Sequence, residues 1–177
     1  MCAAELAAPH THVFDRKAGQ LRCACATCER LLVVPGAPWT AVRHRVERLP
    51  GFTLTDAHWR ALALPIDLAF FVTSSAAGRV IARYPSAAGT VESSLALPAW
   101  QSLVAANPVL DALEPDVEAL LVNRAGERRE HYLASIDECY RLVGLIRLHW
   151  RGVGGGAAVW EAIDRFFGEL AGRSAAV

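Results

Sequence analysis

Four of the five cysteines in this 177-residue chain, Cys2, Cys23, Cys25 and Cys28, fall within its first 28 residues, beside His10 and His12. That segment is polar and turn-rich, broken by Pro9 and Gly19. Thiols and imidazoles gathered in one short segment, outside any obvious core, are what a tetrahedral metal site requires. The most specific piece is Cys23-Ala-Cys25-Ala-Thr-Cys28, in which Cys25 and Cys28 have the C-x-x-C spacing that puts two thiolates on one ion. A zinc ribbon uses two such pairs, roughly 15 to 20 residues apart. Here Cys2 alone stands for the first pair. The expected ligands are the four thiols, or Cys25 and Cys28 with Cys2 and a histidine, His10 or His12.

Zinc is the expected ion. Four thiolates also suit a rubredoxin-type iron or an iron–sulfur cluster. Iron knuckles favour glycine after the second cysteine, which frees backbone N–H groups for the sulfur, and Glu29 stands there instead. A Rieske-like centre needs a histidine in each ligand pair, which Cys25 and Cys28 do not offer.

Composition bounds the rest. Apolar residues make up 53% of the chain and charged residues 20%, so it folds, and its length allows one sizeable core plus a small appended module. Eighteen basic residues balance eighteen acidic ones, which argues against a dedicated nucleic-acid binder. Met1-Cys-Ala-Ala-Glu5 lacks the charged and apolar regions of a secretory peptide. The best apolar stretch, Leu62 to Val72, is broken by Pro65 and Asp67 and predicts no membrane span. A cytoplasmic location is therefore expected, where thiols stay reduced and clustered cysteines favour metal over disulfide.

Pro35-Gly-Ala-Pro38 punctuates the first half, after the apolar run Leu31 to Val34, and divides a Cys-rich module (1–34) from an α+β domain (35–177). Val42, Val46 and Leu49 have no steady spacing and predict neither strand nor helix. Thr55 is placed to cap a short helix to Leu62. Leu68–Thr73 and Arg79–Tyr84 predict a hairpin around Ser74–Gly78, with a third strand over Thr90–Leu95. A second hairpin runs from Val117–Asn123 around Ala125-Gly126 to His131–Leu133. Pro98 opens a helix that Pro108 stops. Ser135-Ile-Asp-Glu138 has capping-box spacing before a stripe of Ile136, Cys139, Tyr140, Val143, Ile146 and Trp150. Beyond Gly152–Gly156, Val159, Trp160, Ile163, Phe166, Phe167 and Leu170 trace another stripe. The fold class expected is α+β: an antiparallel sheet with flanking helices, ending in a helical hairpin.

No catalytic set emerges. Cys139 lies on an apolar stripe, as a buried thiol does. Asp137 and Glu138 sit where a helix N-terminus favours negative charge. Gly152-Val-Gly-Gly-Gly-Ala157 resembles a dinucleotide loop, but it follows a helix rather than a strand, and only about 20 residues remain where the βαβ unit needs about 30. His44, His58, His131 and His149 are scattered, with no H-E-x-x-H, and no G-x-S-x-G occurs. Arg124, Arg128 and Arg129 mark a hairpin tip and read as a solvated loop.

Several segments together resemble an uncharacterised, mainly actinobacterial family encoded beside actinobacterial-type [NiFe] hydrogenases. They are Cys23-Ala-Cys25-x-x-Cys28, Leu68-Ala-Phe-Phe71, Tyr84-Pro-Ser86, Glu114-Pro-Asp-Val-Glu-Ala-Leu-Leu-Val-Asn123 and Glu138-Cys-Tyr-Arg-Leu-Val-Gly144, continuing into Arg147-Leu-His-Trp-Arg-Gly152. The resemblance implies an accessory role in assembling or docking a hydrogenase, with hydrogenase subunits or maturation factors as protein partners. It also implies an opening Cys-x-x-Cys whose second cysteine matches Cys2. Either the start lies upstream, or His10 or Cys23 completes the site. Three readings follow: a non-catalytic metal-binding accessory protein, a redox protein using the same thiolates on iron, and an enzyme with no identifiable catalytic residues.

Overall fold

The computed structural model describes residues 2–8, 10–93, 97–152 and 154–176. The N-terminal segment is not merely turns. Thr11–Asp15 (β1) and Gln20–Ala24 (β2) form an antiparallel hairpin, and Ala26–Leu32 (α1) follows. The Asp15 carboxylate accepts from the Lys17 and Ala18 backbone N–H groups, and Gly19 takes φ +63°, which closes the turn. Trp39–Val42 (β3) crosses the proline-rich link and pairs antiparallel with β1, giving the sheet order β2-β1-β3. Its core is small: Val13, Ala24 and Cys28, edged by Leu32, Val33 and Trp39.

The main body is a seven-stranded sheet. It contains Val46–Arg48 (β4), Leu68–Ser74 (β5), Arg79–Ser86 (β6), Gly89–Ser93 (β7), Glu118–Asn123 (β8), Glu130–Ser135 (β9) and Ala175–Ala176 (β10). The order is β10-β4-β9-β8-β5-β6-β7, antiparallel except for the β10/β4 pair. The two hairpins stand where the sequence predicts them. Of the expected third strand, Ser94 and Leu95 lie outside the described residues.

Alternation along the central strands splits the core in two. Phe70, Leu121 and Tyr132 are cross-strand neighbours on one face, packed under Ile136–His149 (α4) and Ala157–Arg173 (α5). Phe71, Leu120 and Leu133 form the row on the other face, covered by Asp56–Ala61 (α2), Leu97–Ala106 (α3) and the 3-10 turn Pro108–Ala112. Because both faces are covered, the central strands read as unbroken apolar runs rather than as alternating ones. Thr55 caps α2 as expected, accepting from the His58 N–H at 3.1 Å.

Several local expectations are corrected. Ser135 occupies the N-cap of α4, but its buried hydroxyl makes no capping bond. Glu138, instead of reaching back to the cap, is 7% exposed and takes two bonds from Arg173 (2.8 and 3.2 Å) and one from Arg141 (2.9 Å). Burial raises its carboxyl, but those hydrogen bonds and charges outweigh it and hold the group below its usual value. Arg124 is not solvated: it is buried, donates to the Leu54 carbonyl at 2.9 Å, pairs with Asp56 and lies over Trp59. Trp160 faces outward from α5, 49% exposed. The glycine-rich turn joins α4 to α5, and at Gly155 (φ +82°) a Cβ would come within 2.8 Å of the Val159 side chain.

Candidate metal centre

Cys25 ends the extended run from β2 and is the N-cap of α1, so its side chain turns back over the first helical turn. There its sulfur accepts from the Cys28 backbone N–H at 3.4 Å. The C-x-x-C spacing then brings Cys28 beside it on the same end of the helix. Cys2 comes in from the irregular N-terminal segment, with Sγ 3.7 Å from Cys25 Sγ. All three sulfurs lie within 4.8 Å of one another. An ion with Zn–S bonds of about 2.3 Å separates tetrahedral sulfurs by about 3.8 Å, so the Cys2–Cys25 spacing is that of one edge of such a site.

The thiols divide their protons unequally. Cys25 is lowered to about 7, first by the N–H bond from Cys28 and then by the neighbouring thiols. Cys28 is pulled down by the Cys2 backbone N–H, but the Cys2 and Cys25 side chains, desolvation and the Cys2 charge together push it up. A thiolate present near neutral pH is the form that binds metal, and binding ions in turn displaces the remaining protons.

The other expected ligands form a separate group. His12 in β1 is the direct cross-strand partner of Cys23 in β2, and His10 stacks edge-on with His12 at 4.9 Å. The ligand atoms of His10, His12 and Cys23 lie within 4.8 Å of one another. Neither His10, His12 nor Cys23 joins the Cys2/Cys25/Cys28 group, so the described residues supply that group with three ligands.

Outside these clusters, Cys139 is fully buried and burial pushes its thiol far up, which leaves it inert. His131 is buried against Phe52, its Nε2 without a hydrogen-bond partner among the described residues. Desolvation, with the charges of Arg124 and Arg129, lowers it to about 4. Its place in a strand, just before the apolar Tyr132-Leu133, is the sequence cue to that burial. A cleft of about 980 Å³ opens between the β6–β7 turn, the β8–β9 turn and the α4–α5 junction, lined by Ile66, Tyr84, Pro85, Trp150, Trp160 and Ile163 among others. No helix of the described residues is long and apolar enough to cross a membrane.

The fold and its thiol cluster define an α+β protein with a cysteine-rich N-terminal sheet capable of holding a metal ion. The chain belongs to a family of unknown function, DUF5947, whose model matches residues 1–174. No curated protein matches the chain. No solved structure matches it either.

Proposed function

We propose that the chain is a non-catalytic accessory protein in which zinc at Cys2, Cys25 and Cys28 orders the N-terminal sheet and the α+β body docks a protein partner. The single observation that carries this is the convergence of the three sulfurs, with one pair at the tetrahedral edge length. The sheet's own core is small, built on Val13, Ala24 and Cys28, while Leu21 and Val42 pack against the main body. Zinc binding supplies folding free energy on the order of 10 kcal/mol in small peptides, enough to order such an arm. A water or a ligand from a partner completes the ion's shell.

The resemblance to proteins encoded beside [NiFe] hydrogenases makes a hydrogenase subunit or maturation factor the proposed partner, met in the cytoplasm where those metal centres are built. The cleft at the α4–α5 junction, with Trp160 exposed at its rim, is an apolar surface suited to docking.

Elemental mass spectrometry of anaerobically purified protein tests the metal. Loss of the triad's zinc equivalent in a Cys25→Ser/Cys28→Ser double variant supports the reading. Iron with visible thiolate-to-iron absorbance replaces it with electron transfer, a reading to which the Cys28 N–H···Sγ contact of Cys25 is also suited. No metal contradicts both. For the partner, Trp160→Asp is expected to abolish co-elution with the hydrogenase subunit or maturation factor.

A further inference from the structure

We propose that His10, His12 and Cys23 form a second, separate metal site: a mononuclear His2Cys centre for a borderline divalent ion of the zinc class, with an exchangeable fourth position. The argument begins with the imidazole tautomers. His12 Nδ1 lies 3.1 Å from Asp137 Oδ2, and His10 Nδ1 lies 3.2 Å from the Ala7 carbonyl oxygen. A carboxylate and a carbonyl only accept, so each neutral ring carries its proton on Nδ1 and is left with a bare lone pair on Nε2. A ligating histidine has this arrangement, its far nitrogen fixed by a carboxylate or a backbone carbonyl.

Two histidines prepared in this way do not by themselves make a site. The third ligand comes from register: His12 faces Cys23 directly across the β1/β2 ladder, so backbone pairing sets a soft sulfur ligand opposite the His12 residue. All three ligand atoms lie within 4.8 Å of one another. Two nitrogens and one sulfur suit zinc, with Co2+ as its spectroscopic surrogate, and do not suit calcium or magnesium, which take oxygen. His10 and Cys23 are exposed, so the fourth position opens to solvent, as in sites that exchange a ligand. Asp137 belongs to the first turn of α4, so the ion's outer contacts tie the small sheet to the main body. Asp137 is a positioning residue; it acts through His12.

This inference does not rest on the cysteine triad, and one titration separates the two. Metal-free full-length protein is titrated anaerobically with Co2+, following the sulfur-to-cobalt charge-transfer band and the stoichiometry. Two equivalents are expected in the parent protein. His10→Ala/His12→Ala is expected to bind one, keeping the strong charge transfer of several thiolates. Cys25→Ser/Cys28→Ser is expected to keep one, with the weaker band of a single thiolate. An unchanged stoichiometry in the histidine variant overturns the second site, as does a single equivalent that either variant abolishes. If only the triad's equivalent is missing, the proposed zinc knuckle fails and the His2Cys site stands. Asp137→Asn, with folding checked by circular dichroism, is expected to weaken the second equivalent alone by about 10- to 100-fold. Unaltered affinity for that equivalent would remove Asp137 from the site.

Discussion

The two sheets of this protein are stabilised by different means. The seven-stranded sheet is covered on both faces, and its central strands place Phe70, Phe71, Leu120, Leu121, Tyr132 and Leu133 at full burial. The three-stranded sheet buries Val13, Phe14, Ala24 and Cys28, and leaves Leu31 and Val34 exposed. At about 25 cal/mol per Å² of buried apolar surface, the first has ample driving force and the second little. The chemistry follows the same division: four thiols and two paired imidazoles lie in or beside the small sheet, while the one thiol of the body is sealed in its core. A region that cannot hold itself by burial is where a metal contributes most to order.

The largest effect that would sharpen this comparison is a core truncation in the body. Phe167, fully buried against Tyr132 and Phe166, is expected to cost about 3–5 kcal/mol when changed to alanine. Denaturant unfolding would show that loss, while metal stoichiometry below the transition stays unchanged. Altered stoichiometry would mean that the two regions are not separable.

His131 supplies a pH test of the body. The unfolded chain takes up its proton near 6.5 and the folded one near 4, so between those values the unfolded state binds more protons. Stability is therefore full above about 6.5, falls as the pH falls to about 4 and then levels, by at most about 3 kcal/mol. His131→Phe is expected to flatten this segment of the pH profile in urea unfolding. Glu138→Ala comes next: it leaves Arg173 and Arg141 unpaired, but both are partly solvated, so the expected loss is about 2 kcal/mol. Because the Glu138 carboxyl is held low, that stability is present above the usual carboxylate value and is lost as the pH falls from there through the lower folded-state value.

The smallest perturbation in free energy is a labelling experiment. In metal-free protein, iodoacetamide is expected to modify Cys25 with a midpoint near pH 7, while Cys139 stays unmodified until the body unfolds. Peptide mass spectrometry reads both sites at once. Metal binding should slow the reaction at Cys25 and leave Cys139 as it was.

Local chemistry was legible in the sequence wherever one stretch carried the whole signal. The two hairpins, the Thr55 cap and the C-x-x-C of Cys25 and Cys28 are cases of this kind. What escaped depends on distant partners. Val13 and Phe14 read as isolated apolar residues until β3, 26 or so positions on, pairs with their strand. Arg124 reads as a loop cation because Asp56 and the Leu54 carbonyl that receive it lie about 70 residues earlier. The same holds for the grouping of ligands. Composition gathers six metal-binding side chains, but only the β1/β2 register and the α1 cap sort them into Cys2/Cys25/Cys28 and His10/His12/Cys23. Trp160 fits the α5 stripe by spacing, yet its edge position leaves it exposed beside the cleft.

Amide hydrogen exchange, with and without a chelator under anaerobic conditions, tests the central claim most directly. Removing metal is expected to abolish protection across Thr11–Asp15, Gln20–Ala24 and Trp39–Val42, while β5, β8 and β9 of the body exchange as before. Protection of the small sheet that survives metal removal, or its loss throughout the chain at once, would contradict the claim that metal orders one region and burial the other.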